Sequence, residues 1–543
     1  MELILIKSHK HLGVFEKEWS AILEENKNTN PFIEFEFVYN WWRFIGENKE
    51  IEIYAIKENN RMIAFFPLQS EKRWFGYMLH FLAFGDANYM DIIAKKRDMD
   101  RSIMFLFDAI INRKKSAVFC LHGLLESVST PHKLSNYLKA RNIKERYYQT
   151  VTPYIDLQNL SYDDYMQSRK KLHGSDRRER KLRRLGDVRL QISPATKMNQ
   201  LFKVHQKRWE RKNDTSEFSS DTKKAFFQFL AEQKQGKLDV RLTTLTFDDE
   251  IIAFTYGLSC RGRYLGYVLG HDSDFDDYGP GRILFKEKIK KSMEDGFHKL
   301  DMSIGYEPYK FEWNTDLDYT RKTIFSTNTV KARLYRNLMW SKAAFLSRIK
   351  QNYSFVLFCR NTIGKFKYYK RNKEKLKLWK MIWNNRLKSF VFERKRYVIA
   401  KLTNSNIQVK SPFETITPKI ALSTKIERKD ILQKNFQGYT GYYSLDKEQP
   451  FWVNENVMRL DDIQVITSLK RKSVYIKDWE NEDFERVLSF VQSNYHPQQI
   501  FIHVNMGDKK SMKIFETYGF QVTERIHYSN VLGNKKLKRE IVN

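Results

Sequence analysis

The stretch from residue 264 to residue 313 decides the fold: YLGYVLGHDSDFDDYGPGRILFKEKIKKSMEDGFHKLDMSIGYEPYKFEW. It begins as an apolar strand and runs through a polar loop into Gly279-Pro280-Gly281-Arg282, after which Phe285, Ile289, Met293 and Phe297 recur at every fourth position. That spacing predicts an amphipathic helix over 283–295, which Gly296 ends. A second strand follows over 299–304, so the order is strand, glycine-rich loop, helix, strand.

This order predicts a binding site for phosphate. The N-terminus of a helix has unpaired backbone N–H groups and partial positive charge, and glycines let those donors approach an anion closely. Arg282 adds a full positive charge at the same place. A Gly-Pro-Gly tripeptide alone is more often a simple turn, but its position between a strand and a helix favours the phosphate interpretation.

The stretch resembles the GNAT acyltransferase superfamily, whose pyrophosphate loop has the pattern Arg/Gln-x-x-Gly-x-Gly/Ala. The corresponding residues here are Asp276-Asp277-Tyr278-Gly279-Pro280-Gly281, in which both glycines match and the leading Arg or Gln is replaced by Asp276. The resemblance implies a coenzyme A thioester, acetyl-CoA or another acyl-CoA, as the cosubstrate, bound by Gly279, Pro280 and Gly281. The charge on the phosphate side is then left to Arg282 and nearby lysines.

A more specific resemblance lies in residues 300–313, LDMSIGYEPYKFEW. It is similar to the Asp…Gly-x-Glu-x-Tyr-Lys-x-x-Trp signature of the cellulose-biosynthesis acetyltransferase-like (CelD-like) branch, which is related to FemAB-type transferases. The resemblance extends over roughly residues 30 to 326 and includes Trp41-Trp42 and a basic run at 177–184. It implies an acceptor of small-molecule or glycan-precursor type.

The resemblance also implies roles for single residues. Acyl transfer needs a deprotonated nucleophile, a polarised carbonyl and a proton for the leaving thiolate. We expect backbone N–H groups near Leu269 and Gly270 to hold the carbonyl. The residues expected to carry the chemistry are Glu307 as base, directly or through water, Tyr309 as proton donor, Lys310 as charge stabiliser, and Asp301, which either orients Lys310 or is the base itself.

The basic run permits two interpretations. A dense run of arginines is most often the solvated face of a helix, but its position in the resemblance suggests contact with a phosphate-bearing substrate. On the second interpretation, Arg177, Arg178 and the neighbouring His173 belong to the acceptor site. No spacing of His, Cys or acidic residues suggests a metal site. Three distant cysteines do not make a disulfide framework, which fits a reducing compartment.

Two hairpins suggest an internal repeat. Residues 59–65, NNRMIAF, align with residues 248–254, DDEIIAF, and each is followed by another strand, a helix and a strand. The first copy has Lys-Lys-Arg-Asp at 95–98 where the second has glycines, so we expect no phosphate loop there. A weaker third copy lies in 474–520, again without a glycine loop.

The length of 543 residues and a hydrophobic content of 41% predict several packed domains. We expect an α+β protein with tandem GNAT-like domains made of mixed sheets and flanking helices, a basic helical connector and a degenerate third GNAT-like domain. The expected segments are an N-terminal GNAT-like domain on the acceptor side (1–155), a GNAT-like domain with the acyl-CoA loop (156–330), the connector (331–400) and the C-terminal degenerate domain (401–543).

The connector holds 20 Lys and Arg against two acidic residues, out of a net charge of +31 for the whole chain. Tryptophans and tyrosines are interleaved with the cations. This composition suits an anionic membrane surface or RNA, and it equally suits a helical connector that packs its aromatic side chains and exposes its lysines. The plain connector is the most common outcome, and nucleic acid is the least favoured of the three.

Three functions follow from these patterns. The first is an acyl-CoA-dependent N- or O-acyltransferase acting on an amine or hydroxyl, such as an envelope or exopolysaccharide precursor. The second is FemAB-like aminoacyl transfer from a charged tRNA, and the third is a non-catalytic basic scaffold that binds membrane or nucleic acid. No apolar run reaches the roughly 18 residues that span a bilayer, so we expect a cytoplasmic protein, peripheral on the inner face of the membrane if the connector binds lipid.

Overall fold

The computed structural model describes the greater part of the chain in two compact units. The described residues are 1–169, 174–211, 216–233, 236–351, 392–403, 413–418, 426–444, 447–531 and 534–542. The described residues within 1–179, 186–272 and 279–365 form the first unit, and those within 180–185, 273–278 and 366–543 form the second. Most of the basic connector, 352–391, lies outside the described residues.

Helices flank a large sheet in the first unit. They are α1 (His9–Gly13), α2 (Glu16–Glu25), α3 (Phe35–Phe44), α4 (Met99–Arg113), α5 (Thr130–Ala140), α6 (Tyr162–Ser168), α7 (Gly174–Arg183), α8 (Met198–Arg211), α9 (Asp221–Glu232), α10 (Pro280–Glu294), α11 (Pro308–Trp313) and α12 (Val330–Gln351). Short 3₁₀ helices lie at Pro31–Ile33, Ala195–Lys197 and Glu217–Ser219. The 3₁₀ helix Ser273–Tyr278 and the last residues of α7, from 180 on, belong to the second unit.

The large sheet has 13 strands. They are β1 (Glu2–Ile6), β2 (Ile51–Glu58), β3 (Arg61–Arg73), β4 (Gly76–Phe81), β5 (Ile93–Ala94), β6 (Ala117–Leu125), β7 (Arg146–Asp156), β8 (Val188–Ser193), β9 (Asp239–Phe247), β10 (Glu250–Cys260), β11 (Arg263–His271), β12 (Lys299–Asp301) and β13 (Asp316–Ser326). Their order is β1-β2-β3-β4-β6-β13-β7-β12-β11-β10-β9-β8, and β5 pairs with β3.

The sheet confirms the internal repeat. In the first half, β4 and β6 pair in parallel, and α4 lies between them in sequence. In the second half, β11 and β12 pair in parallel, and α10 lies between them in sequence. Both hairpins turn on two residues with positive φ, Asn59-Asn60 and Asp248-Asp249, which is the geometry of a type I′ turn. The register shifts at equivalent places, leaving Ile63 and Ile252 without an opposing residue.

The two halves exchange a strand at the centre of the sheet. Strand β7 follows the first half in sequence but pairs with β12 of the second half, and β13 follows the second half but pairs with β6 of the first. Strands β7 and β13 also pair with each other, antiparallel, over nine residues from Asp316↔Tyr154 to Ile324↔Arg146. Each half therefore completes the sheet of the other.

Alternation along the strands sends neighbouring side chains to opposite faces. On β11, Leu265 joins a core that spans both halves and includes Trp19, Phe107 and Phe227, whereas Tyr264 packs with Phe285 of α10. Helix α10 therefore lies against β9, β10 and β11 on the face opposite the shared core. In the first half, α12 covers the face that carries Met78, Val118 and Ile324.

The second unit contains an 8-stranded and a 2-stranded sheet. Its elements are β14 (Phe392–Thr403), β15 (Phe413–Thr415), α13 (Arg428–Phe436), β16 (Thr440–Ser444), β17 (Lys447–Asn454), β18 (Val457–Leu460), β19 (Val465–Ser468), β20 (Ser473–Lys477), α14 (Phe484–Tyr495), β21 (Gln499–Asn505), α15 (Lys509–Tyr518), β22 (Gln521–Val531) and β23 (Asn534–Ile541), with 3₁₀ helices at Asp461–Ile463 and Asn481–Asp483. The larger sheet has the order β15-β16-β17-β20-β21-β14-β22-β23.

The same strand–helix–strand unit occurs there a third time. Strands β20 and β21 pair in parallel, and α14 connects them. The segment before α14, Asp478-Trp479-Glu480-Asn481-Glu482-Asp483, has no glycine and four carboxylates. Carboxylates at a helix N-terminus occupy the place of an anion and repel phosphate. As the sequence predicted, this third strand–helix–strand unit has no glycine-rich loop before its helix.

Three local predictions need correction. Helix α10 begins at Pro280 rather than at residue 283, because Gly279 in the left-handed region and Pro280 at the first helical position start it earlier. Strand β12 ends at Asp301 rather than at residue 304, because Ser303 and Gly305 have positive φ. Helix α11, which follows directly, was not predicted.

Candidate active site

The glycine-rich loop opens onto the N-terminus of α10. Gly279 has φ 65° and ψ 50° and caps the helix, and its carbonyl accepts hydrogen bonds from the N–H groups of Arg282 at 2.9 Å and Ile283 at 3.3 Å. Among the described residues, a Cβ added to Gly281 would meet only the Nδ1 atom of His271, at 3.5 Å. Pro280 has no N–H, and those of Arg282 and Ile283 donate to Gly279, so the N–H of Gly281 is the donor that the first turn leaves for an anion.

A guanidinium group lies beside this loop. A Cβ added to Gly279 would be 3.6 Å from Nη1 of Arg178, which is carried by α7. Helix α7 is fixed to α10 because Nζ of Lys286 pairs with Asp176 at 3.0 Å and with Glu179 at 2.9 Å. Burial opposes the charge, but these hydrogen bonds outweigh it and raise the pKa of Lys286. Arg178, expected on the acceptor side, is therefore held beside the phosphate loop.

Arg282 has a different environment from the one expected. Its Nη2 atom pairs with the carboxylate of Glu312 on α11, and both side chains are partly exposed. The contact connects the start of α10 to the end of the Gly-x-Glu-x-Tyr-Lys motif. Part of the charge of Arg282 is compensated by this carboxylate, so Arg178 is the better placed cation for a phosphate.

The strands on either side of α10 pair over three residues and then stop. Parallel pairing of β11 with β12 runs from Arg263↔Lys299 to Leu265↔Asp301, whereas β11 itself continues to His271. Among the described residues, no strand pairs with this edge of β11 beyond Leu265. We call this edge, formed by 266–271, the β11 notch. Leu269 and Gly270 lie in it, and Gly270 admits no side chain because the ring of Phe254 is 2.3 Å from its would-be Cβ.

The Gly-x-Glu-x-Tyr-Lys motif has a local physical explanation. Gly305 has φ +135°, and a Cβ there would lie 2.2 Å from Oε2 of Glu307, so only glycine lets this carboxylate pack against the backbone. Pro308 starts α11, which places Glu307 and Lys310 three residues apart on the same face. Nζ of Lys310 is 3.0 Å from Oε2 of Glu307 and donates a hydrogen bond of 2.6 Å to the carbonyl of Ile304.

This pair has unequal exposure. The side chain of Glu307 is 45% exposed, whereas that of Lys310 is 5% exposed. Burial lowers the pKa of Lys310, an effect that the charge of Glu307 opposes. The arrangement presents a carboxylate to solvent with a buried ammonium behind it. Such a carboxylate can accept a proton from an incoming amine or hydroxyl while the ammonium balances its charge.

Asp301 lies in a buried network of hydrogen bonds. It is 1% exposed and accepts hydrogen bonds from the Nε atom of Arg263 at 3.0 Å, from the Tyr89 hydroxyl at 2.9 Å and from the Ser303 N–H at 2.6 Å. A second nitrogen of Arg263 pairs with the same carboxylate. All of these donors are buried, and the charge of Asp301 also opposes the lowering of the pKa of Lys310 by burial.

The structure thus brings some of the expected residues together and separates others. Glu307 and Lys310 are paired, and Tyr309 is half-buried with its ring edge-on to Phe285, the centroids 6.3 Å apart. Arg177 is exposed on α7, next in sequence to Arg178. His173 lies outside the described residues. In the first half, the cap before α4 is not a glycine but Asp98, whose carboxylate pairs with Arg101.

Two lysines of α10 were missed. Lys286 fixes α7, and Lys288 is buried against the sheet at 2% exposure. A signal for Lys288 was present in the sequence, since it lies three residues after Phe285 and one before Ile289, on the apolar face of the predicted helix. Among the described residues, no group of three or more His, Cys, Asp or Glu side chains is placed to hold a metal ion.

Comparison with known proteins agrees with this geometry. Residues 169–311 match the family model described as acetyltransferase (GNAT) domain. The matched region contains α7, β8 to β12, α10 with its loop, and the start of α11. The second half of the large sheet is therefore similar to a GNAT acetyltransferase domain. No curated protein matches the chain.

Solved structures similar to this chain cover more of it at low identity. The C-terminal domain of a putative lysylphosphatidylglycerol synthetase from Agrobacterium fabrum is 12% identical over 61% of this chain and 96% of its own, with a TM-score of 0.38. FemX is 9% identical over 63% of this chain and 100% of its own, with a TM-score of 0.40. A tandem GNAT protein from the clavulanic acid biosynthesis pathway is 9% identical over 60% and 98%, with a TM-score of 0.35.

Proposed function

We propose that the protein is an acyl-CoA-dependent acyltransferase that transfers an acetyl or similar acyl group to an amine or hydroxyl. The observation that carries this proposal is the open anion cradle at Gly279-Pro280-Gly281, with Arg178 beside it and the β11 notch next to it. These residues fit the pyrophosphate and thioester ends of coenzyme A. The CelD-like motif at 300–313 favours an envelope or exopolysaccharide precursor as the acceptor.

The residues act in a defined order on this proposal. Acyl-CoA supplies an activated carbonyl, and backbone N–H groups of the β11 notch, near Leu269 and Gly270, polarise it. Glu307, the half-exposed carboxylate, accepts the proton of the acceptor amine or hydroxyl, directly or through water. Lys310 balances the charge of Glu307 throughout. Tyr309 gives a proton to the leaving thiolate, and Asp301 keeps β12 in place through Arg263.

We expect Gly281→Glu to weaken acetyl-CoA binding at least tenfold, measured by isothermal titration calorimetry. Its side chain would enter the cradle and place a carboxylate where a phosphate binds. The variant should fold, because a Cβ there meets only His271 at 3.5 Å and an acidic residue in the first helical turn is favourable. Lys290→Gln is the control, since it makes the same change in net charge on the exposed face of α10.

The donor is decided in the same experiment. Binding by the wild type and by Lys290→Gln, together with loss in Gly281→Glu, supports an acyl-CoA donor at this loop. If the wild type binds a charged tRNA and no acetyl-CoA, the donor is aminoacyl-tRNA and the acyl-CoA proposal fails. Salt-sensitive binding of vesicles or RNA without affinity for either donor would support the scaffold interpretation.

A second observation supports contact with an anionic membrane. On α12, Val330, Leu334, Leu338 and Phe345 fall on one face at helical spacing, and each is more than half exposed. The flanking residues are Lys331, Arg333, Lys342 and Arg348, and the helix has no acidic residue. An apolar stripe between cations is typical of a helix that lies in the interface of an anionic bilayer. None of the described helices has the length and apolarity to cross a membrane.

We expect the chain to sediment with vesicles that contain anionic phospholipid and not with neutral vesicles. Leu334→Ser combined with Leu338→Ser should weaken this binding roughly tenfold or more, because each leucine loses apolar area that the lipid would bury. The double variant Leu317→Ser with Ile466→Ser is the control, because Leu317 and Ile466 are also exposed but lie outside α12. Equal binding of the two double variants, or binding of RNA in place of vesicles, would contradict a lipid-facing α12.

A further inference from the structure

Lys288 is a buried lysine of α10 whose amine lies close to two aromatic rings. It is 2% exposed, and its Nζ atom lies 4.4 Å from the ring centroid of Phe285 and 5.5 Å from that of Tyr264. Among the described residues, no carboxylate or carbonyl oxygen pairs with it. An ammonium without an ion pair or hydrogen bond is costly to bury. A lysine in this position therefore calls for an explanation beyond packing, which a methionine would serve better.

The place that Nζ occupies is the start of the β11 notch. A Cβ added to Gly266 would be 3.4 Å from Nζ of Lys288 and 3.8 Å from the carbonyl oxygen of Asp301. Gly266 is the first residue of β11 beyond the last pair with β12, Leu265↔Asp301. Because Gly266 has no side chain, it leaves space in front of the amine. Helix α10 thus carries the glycine-rich loop at its N-terminus and this amine two turns further along the helix.

The environment also sets the ionisation of the amine. Burial lowers the pKa of Lys288 to about 7, with no neighbouring charge that restores it. Near neutral pH a large fraction of the side chain is then the free amine, which is the nucleophilic form.

We propose that Lys288 is a self-acylation site that receives the acyl group of a thioester whose carbonyl lies beside Gly266, at the start of the β11 notch and not at Leu269 and Gly270; this rests on the acyl-CoA donor proposed above. The ε-nitrogen attacks the thioester carbonyl, an N–C bond forms and the C–S bond breaks. The thiolate takes the proton that the nitrogen loses, so the products are an amide on Lys288 and free coenzyme A. The amide is neutral and suits the apolar site better than the amine.

The test follows acetylation of Lys288 by peptide mass spectrometry after the full-length protein has been incubated with acetyl-CoA. We expect Lys288 to be acetylated at least tenfold faster than Lys290, which is exposed on the same helix. The rate should rise with pH and level off above about 7, following the free amine. In Gly281→Glu the reaction with acetyl-CoA should be lost, because the donor no longer binds.

A second donor separates this inference from the proposed function. S-acetyl-N-acetylcysteamine carries the thioester but no nucleotide, so it should acetylate Lys288 equally in the wild type and in Gly281→Glu. If acetyl-CoA binds by calorimetry and Lys288 stays unmodified, self-acylation is wrong and the proposed function stands. If acetyl-CoA does not bind, both fail, whatever the small thioester does. Acetylation of Lys290 at the same rate as Lys288 also contradicts the proposal.

Discussion

Replacing Asp301 by alanine is expected to lower the free energy of unfolding by about 3–5 kcal/mol, as for other buried ion pairs that lose one partner. The reason is that Arg263, which is 4% exposed, keeps its charge and loses both hydrogen bonds to the carboxylate. The hydroxyl of Tyr89, which comes from the first half of the sheet, loses its acceptor at the same time. Urea unfolding followed by circular dichroism measures the loss.

Two further variants make this prediction specific. Asp316→Ala removes an exposed carboxylate from β13 and should change the free energy of unfolding by less than about 0.5 kcal/mol. Asp301→Leu combined with Arg263→Met removes both charges and should recover most of the loss, because neither partner is left buried alone. A loss for Asp301→Ala no larger than that for Asp316→Ala would show that the network does not join the two halves.

Replacing Lys288 by methionine is expected to have the opposite effect. We expect the free energy of unfolding at pH 7 to rise by about 2–4 kcal/mol, because methionine keeps the apolar stem and removes the cost that holds the pKa of the amine near 7. The unfolded chain binds the proton more tightly than the folded chain, so the wild type gains stability as pH rises from about 7 toward 10.5. The difference between variant and wild type should therefore shrink over that range.

The measurement is a pair of urea unfolding curves for each protein, one at pH 7 and one near the pKa of lysine in the unfolded chain. Lys290→Met is the matched control, since it removes an exposed lysine from the same helix and should change stability by less than about 0.5 kcal/mol at either pH. A gain for Lys288→Met that does not vary with pH would mean that packing, not ionisation, is responsible.

Much of the second half of the large sheet could be predicted because its signals are local. The strands β9 to β11, the glycine loop and α10 each follow from the spacing of apolar residues and from Gly279 and Gly281. The repeat was recognisable because the two hairpins keep the same turn and the same bulge. Glu307 and Lys310 could be named together because three residues separate them, and α11 brings them to one face.

The rest depends on contacts between distant residues, which periodicity does not encode. Tyr89 and Asp301 are 212 positions apart. Arg178 was expected near the acceptor because of the position of its basic run in the family resemblance. The pairing of Lys286 with its helix could not be predicted from the sequence. The central strands β7 and β13 each have a clear extended pattern, but nothing in either sequence says that its neighbour belongs to the other half of the chain.

That exchange of strands has a consequence for how such a chain can change in evolution. The two halves repeat one pattern of elements, yet each contributes a strand to the interior of the other's sheet. A gene fragment encoding one copy would carry a strand with no place in its own sheet and would lack one that it needs. Recombination can therefore transfer the two halves together but not one half alone. The half that carries the glycine-rich loop needs the other half to complete its sheet.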